Sequence, residues 1–258
     1  MILNYKNSTI NYTVSGKGKT IVLLHGFLET LDMWNDLALI LSKSNQVICV
    51  DLLGHGKTNC LGYIHSMDAM AEATFAVLDH LNVKKSHVIG HSMGGYVALA
   101  MAKMKPELFM GLCLMNSTFE ADDEDKKAIR TRANEMAKTN FNNLVSMSFA
   151  NLFSKESKVN YQSAYENALN IALKTTVQGY IAASEGMKIR PNYFHVFKTL
   201  KAKKLIIIGR KDPLINVEKI KTTIANTDIS CEELSEGHMS HIENKSELSD
   251  ILLRFVEK

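Results

Sequence analysis

At 258 residues, with 46% apolar and 22% charged residues, the chain can bury a full core without metals or disulfides, and its composition is that of an ordinary globular protein. A formal net charge of only +3, spread along the chain, points to neither a nucleic-acid partner nor an anionic membrane surface. Residues 1–7 lack the apolar stretch of a signal peptide and no run of about 18 apolar residues occurs, so a cytoplasmic protein is expected.

Short apolar runs read as strands at 2–5, 10–14 and 21–24, the last bounded by Gly18 and Gly26. A helix over 34–41 separates that run from a strand at 47–50, and a helix over 67–81 leads to a strand at 87–89. Another helix, starting near Met93, leads to a strand at 112–115. Strand and helix in alternation predict an α/β fold, with a mostly parallel sheet and helices on both faces. The rhythm stops after Asn116. Up to Lys204 only helix-like stretches occur, such as 125–137 and 165–173, although a plain crossover needs only about a dozen residues. The domain reading is therefore a core of residues 1–116 and 204–258 interrupted by a helical cap insertion over 117–203. The sheet resumes at 205–208, a helix follows near 217–224, and a last strand runs near 229–234. Leu248, Ile251, Leu252 and Phe255 fall on one face of a closing amphipathic helix.

Cys49, Cys113 and Cys231 sit in apolar strand-like runs and Cys60 follows a loop. None has metal-ligand spacing, so they read as small buried hydrophobes in a reducing compartment. The acidic run Asp122–Asp125 precedes a helix, where negative charge complements the dipole. The methionines of the insertion, Met136, Met147 and Met187, read as core filling before they read as a flexible pocket lining.

Gly90-His91-Ser92-Met93-Gly94 carries the chemistry. It lies directly after a strand and directly before a helix, where a sharp turn exposes a serine hydroxyl above the sheet. The helix N-terminus that follows offers free amides to negative charge. A turn serine at an N-cap is the plain alternative. In this context the chain resembles the α/β-hydrolase superfamily over essentially its whole length, and Gly90–Gly95 (Gly-His-Ser-Met-Gly-Gly) is typical of esterase-like members. Three further segments resemble the family in order: Leu24-His25-Gly26-Phe27, then Asp51 to Thr58, then Glu185 to Asn192.

The resemblance implies an eight-stranded, mostly parallel sheet and the order Ser, acid, His. It assigns Ser92 as nucleophile, Asp212 as acid and His238 as base, with the backbone N–H groups of Phe27 and Met93 facing the oxyanion. Asn116, with Glu120 a few residues on, marks a rival place for the acid, and His241 is a rival base. His241 is expected to be solvated or to stand behind the catalytic groups, and Asn244, where the family often has proline, to loosen its turn. His25 and His91 read equally as hydrogen-bonders and as substrate contacts. Arg190 is either a carboxylate clamp or a structural ion pair.

The function implied is hydrolysis of small or medium acyl esters, with no cofactor, no metal, and no nucleic-acid or membrane partner. Carbon–carbon bond hydrolysis, lactone hydrolysis, perhydrolysis and a ligand receptor are the alternatives on this fold. A menaquinone-pathway synthase would commonly carry tyrosine before the nucleophile and a basic residue after the second glycine, where this chain has His91 and Tyr96. Oligomeric state and acyl length are left open by the sequence.

Overall fold

A computed structural model describes residues 1–257, without the side chain of Lys155. Eight strands form one sheet: β1 (Ile2–Tyr5), β2 (Ser8–Ser15), β3 (Lys19–Leu24), β4 (Asn45–Val50), β5 (Ser86–His91), β6 (Phe109–Met115), β7 (Lys203–Gly209) and β8 (Ser230–Leu234). Their order is β1-β2-β4-β3-β5-β6-β7-β8. β1 and β2 pair antiparallel, as do β2 and β4, and from β4 to β8 every pairing is parallel. The two-residue turn at Lys6 and Asn7 has positive φ at both residues, 46° and 60°, which matches the twist of a tight hairpin. β2 is longer than its apolar run suggests, because polar Ser8, Thr9 and Ser15 join the ladder through backbone alone.

Alternate side chains of the central strands enter two separate cores. Ile21 and Leu23 pack with Trp34, Leu41, Leu252 and Phe255, from the turn at 31–34 and from helices α1 (Asn35–Leu41) and α11 (Lys245–Glu257). Val22, Leu24 and Val88 pack on the other face, against α2 (Met67–His80) and α3 (Met93–Met104). A strand buried on both faces reads as a continuous apolar run, which is why β3, β5 and β7 stand out in the sequence. The turn at 31–34 is a 3₁₀ helix capped by Thr30, whose Oγ1 accepts from the Asp32 amide.

Between β6 and β7 the described chain is helical: α4 (Glu124–Ala150), α5 (Lys155–Asn160), α6 (Gln162–Ala172), α7 (Val177–Lys188) and α8 (Phe194–Thr199). α4 runs past the predicted end at 137, and its break lies at Asn140, with φ −144° and ψ 49°. Asp123 caps it by accepting the Lys126 amide at 2.8 Å, and Glu124 and Asp125 occupy its first turn, so these three acids serve the dipole, whereas Asp122 is taken up by Arg130 and Arg190. α7 has no clear apolar stripe in sequence because much of it is buried, including Tyr180, Ala182, Ala183 and Met187. Met187 fills core, but Met136 and Met147 are 48% and 69% exposed, so core filling does not describe them. They lie on faces of α4 that nothing in the described chain covers. After β7 come α9 (Val217–Ile224), β8 and the short α10 (Ser240–Glu243). No helix among the described residues is long and apolar enough to cross a membrane.

Candidate active site

Ser92 stands between the end of β5 and the start of α3 with φ 48° and ψ −115°. Such a conformation costs a non-glycine residue ~1–3 kcal/mol and persists only where neighbours enforce it. Its amide donates to Met115 O at 2.9 Å, and its carbonyl accepts from Gly95 N at 3.0 Å and Ser117 Oγ at 2.7 Å. A Cβ on Gly94 would collide with the Leu24 carbonyl, so only glycine lets the helix start so close to β3. The Ser92 hydroxyl makes no protein hydrogen bond among the described residues.

Asp212 follows β7 on a turn closed by its own amide, which donates to Gly209 O at 3.0 Å. His238 lies past the end of β8, and its Nδ1–H donates to Asp212 Oδ2 at 2.8 Å. Both side chains are buried, at 0% and 3% exposure. Asp212 Oδ1 accepts from the Leu214 amide at 2.8 Å, and Oδ2 also accepts from Asn116 Nδ2 at 3.1 Å. Burial works against the carboxylate, but the His238 ring and these donors outweigh it and hold Asp212 below its ordinary pKa.

Asn116, the marker of the rival acid position, therefore holds Asp212 in place. It sits at φ 45° just past β6, and its amide also donates to Gly237 O at 3.1 Å while its Oδ1 accepts from Ser240 Oγ at 2.6 Å. Ser240 and this role of Asn116 were not evident from sequence, since neither belongs to a motif. Glu120 instead pairs with Lys219 at 2.6 Å.

The loop after β3 brings Gly26 against Ser92: a Cβ there would lie 3.2 Å from Ser92 Cβ. The next residue is Phe27, whose amide has no protein acceptor among the described residues. Met93 is the first residue of α3, where an amide has no carbonyl one turn back to bond. His25 fastens this loop by donating from Nδ1 to Gly26 O at 2.7 Å and accepting the Leu52 amide at Nε2, 2.9 Å. Burial lowers its pKa, so it stays neutral. The Asp51–Thr58 turn is also a fastening. Asp51 accepts from the Leu31 and Lys57 amides at 2.7 and 2.9 Å and from Asn11 Nδ2 at 2.7 Å. Thr58 Oγ1 accepts the Asn11 amide at 2.8 Å.

His91 donates from Nδ1 to Glu29 Oε2 at 2.7 Å and from Nε2 to the His238 carbonyl at 3.0 Å. Of the two places expected for His241, the structure gives the one behind His91 and not open solvent: its half-buried ring packs 5.6 Å from that of His91, and desolvation lowers its pKa to about 4. Asn244 does not loosen its turn. Its Oδ1 accepts the Glu236 amide at 3.2 Å and its Nδ2 donates to Ser235 Oγ at 3.0 Å. Among the described residues Glu29, His91 and His241 bring three potential metal-ligand atoms within 4.8 Å of one another. Both His91 nitrogens face acceptors, however, which leaves that ring no lone pair for a metal.

Arg190 is 5% exposed and pairs with Asp122 at 2.8 Å. It also donates to the Glu120 and Met187 carbonyls and lies 4.0 Å over the Tyr96 ring. It is structural and has no donor fork to offer a substrate. Arg190→Met leaves Asp122 buried with Arg130 alone, 2.6 Å away. The expected cost is about 3 kcal/mol, read from urea unfolding midpoints.

Acid should destabilise the fold. His55, which is buried, and His241, which is half-buried, are held neutral, with pKa values of about 3 and about 4 against an ordinary 6.5, both chiefly through desolvation. The unfolded chain takes up those protons first, so stability falls as pH drops below 6.5, by on the order of 1–2 kcal/mol per ring at pH 5. Glu29, at about 2 instead of 4.5, and Asp212 add to the loss below pH 4.5. Urea midpoints at pH 7 and pH 5 check this; a higher midpoint at pH 5 would contradict it.

Residues 19–245 match the model of the family described as the alpha/beta hydrolase fold. The chain therefore belongs to the α/β-hydrolase fold family. It is 24% identical to 3-oxoadipate enol-lactonase 1 of Acinetobacter baylyi over 100% of this chain and 96% of that protein. It is 37% identical to the dihydrolipoyllysine-residue acetyltransferase component of the acetoin cleaving system of Pseudomonas putida, over 41% of this chain but only 29% of that protein. In structure it resembles a thermophilic esterase from Thermogutta terrifontis, with a TM-score of 0.91 and 23% identity over 97% of this chain and 93% of that one. The enol-lactonase from Burkholderia xenovorans LB400 gives a TM-score of 0.92 at 18% identity over 100% of both chains.

Proposed function

We propose that this protein is a serine carboxylesterase acting on small or medium, uncharged acyl esters. The observation that carries this reading is the buried His238–Asp212 hydrogen bond of 2.8 Å on the sheet edge where Ser92 is held at a strained strand-to-helix turn. Ser92 Oγ attacks the ester carbonyl carbon as its proton passes to His238 Nε2. Asp212 orients the ring and offsets the charge that it acquires. The Phe27 and Met93 amides receive the oxyanion. Collapse of the tetrahedral species breaks the ester C–O bond, and His238 returns the proton to the departing alcohol. Water then attacks the acyl-enzyme with His238 again as base, which releases the acid and restores Ser92. The hydroxyl's lack of a protein partner fits a contact that tightens when substrate arrives.

The helices of residues 117–203 serve as a cap in this reading and shape the acyl side. Arg190 is committed to Asp122, which argues for acyl groups that carry no carboxylate. Two loop residues, Leu28 and Met239, also line a cavity of about 770 Å³ together with Phe149 and Ile171 of the helical segment. Neither Ser92 nor His238 lines it.

A fluorophosphonate probe tests the reading: a single adduct on Ser92, with hydrolysis of p-nitrophenyl acetate and butyrate, is expected. Lactones and thioesters belong in the same panel, because the same triad would open them. A protein that takes no adduct at Ser92 would not be a serine hydrolase. One that is labelled but completes a single slow turnover would be a ligand receptor.

A further inference from the structure

We propose that Glu29 and His91 form a buried carboxylate–imidazolium pair that positions the oxyanion loop, the nucleophile turn and the base loop on one hydrogen-bond chain. The proposal rests on the esterase reading only for its kinetic part. The chain begins at the Gly26 amide, which donates to Glu29 Oε2 at 2.5 Å. The same oxygen accepts His91 Nδ1–H at 2.7 Å, and His91 Nε2–H reaches the His238 carbonyl at 3.0 Å. Each anchor lies within one residue of a reacting group: Gly26 precedes Phe27, His91 precedes Ser92, and the last acceptor is the backbone of His238 itself.

The proton count follows from the acceptors. A peptide carbonyl only accepts, so Nε2 must carry a proton. Glu29 Oε2 lies 2.7 Å from Nδ1, so a proton lies between them, and the lowered pKa of Glu29 puts it on Nδ1. Two N–H groups make the ring an imidazolium, and the carboxylate balances it. Both side chains are buried, at 1% and 6% exposure, so neither charge would persist without the other. Burial opposes both charges, yet the mutual attraction outweighs it. It leaves the His91 pKa above its ordinary value and Glu29 at about 2. The other ionisable groups facing the pair are His25, His55, His241, His238 and Asp212, and burial keeps His55 neutral. His25 and His241 have lowered pKa values, chiefly from burial, and add no competing positive charge near neutral pH.

Glu29→Gln is the informative variant. The amide oxygen can still accept from Gly26, but an uncharged partner no longer holds His91 as a cation. A neutral ring has one N–H for two acceptors, so one link of the chain is lost. With the oxyanion amides or the base displaced, kcat should fall by about 10²-fold while KM stays within about threefold. The deficit relative to wild type should widen as pH rises from 6 to 9, because low pH re-protonates His91 in the variant. A simple packing defect would give a constant ratio.

Nitrogen NMR of histidine-labelled wild type at pH 7.5, with the His91 signals assigned from His91→Gln, reads the proton count without any activity. Two protonated nitrogens are expected, and one in Glu29→Gln. An unprotonated His91 nitrogen in wild type overturns the pair. An unchanged kcat in a labelled, active Glu29→Gln overturns its positioning role. Loss of Ser92 labelling in wild type would instead sink the esterase reading and leave the NMR result standing.

Discussion

Ser92→Ala is expected to lower ester turnover by about 10⁵–10⁶-fold, leaving only what the oxyanion amides provide over water. The variant removes one oxygen that has no protein hydrogen bond among the described residues. The amide and carbonyl of residue 92, which hold the turn, are untouched. Thermal midpoint should therefore stay within a degree or two, which separates chemistry from folding. His238→Ala should be nearly as damaging, and the double variant little worse than either alone, because in the proposed mechanism the two groups act as one proton relay. If wild type and Ser92→Ala hydrolyse p-nitrophenyl butyrate at the same slow rate, no serine esterase is present.

Asp212→Asn is expected to reduce kcat by about 10⁴-fold with the fold retained. The surrounding donors explain the size. Leu214 N–H will keep the carbonyl of the new side chain at the Oδ1 position, which places its NH₂ group where Oδ2 accepted from His238 and Asn116. An NH₂ facing His238 Nδ1 favours the tautomer with its proton on Nε2, and that ring cannot take a proton from Ser92. The NH₂ also meets Asn116 Nδ2, another donor, whose own amide is fixed by Ser240 Oγ and Gly237 O. Glu120→Gln is the control. Its carboxylate is engaged with Lys219, so activity should remain near wild type. A larger loss from Glu120→Gln than from Asp212→Asn would show that the acid is misassigned.

Much of the frame was legible in the sequence for a physical reason. Strands buried on both faces, such as Ile21–Leu24 and Leu205–Ile208, must be continuously apolar, and the parallel order follows from the helices between them. The serine turn was legible because its backbone tolerates only glycine at 90 and 94. The helical segment was harder. α7 packs on several sides and so shows no single apolar stripe, and α4 continues past a break at Asn140 that propensity does not mark. Met136 and Met147 misled because methionine is apolar wherever it lies, and nothing local says that a helix face is left uncovered.

Local sequence thus determined which segments must be strand, which turn must carry a serine, and which residue types could follow β7 and β8. Only the tertiary structure decided how those loops are tied together. Asn116, Ser240, Glu29 and His91 act through partners as many as 147 positions away in the chain. Whether a buried histidine is neutral or charged depends on which acceptors face its two nitrogens, and that is set by the folding of distant segments against one another.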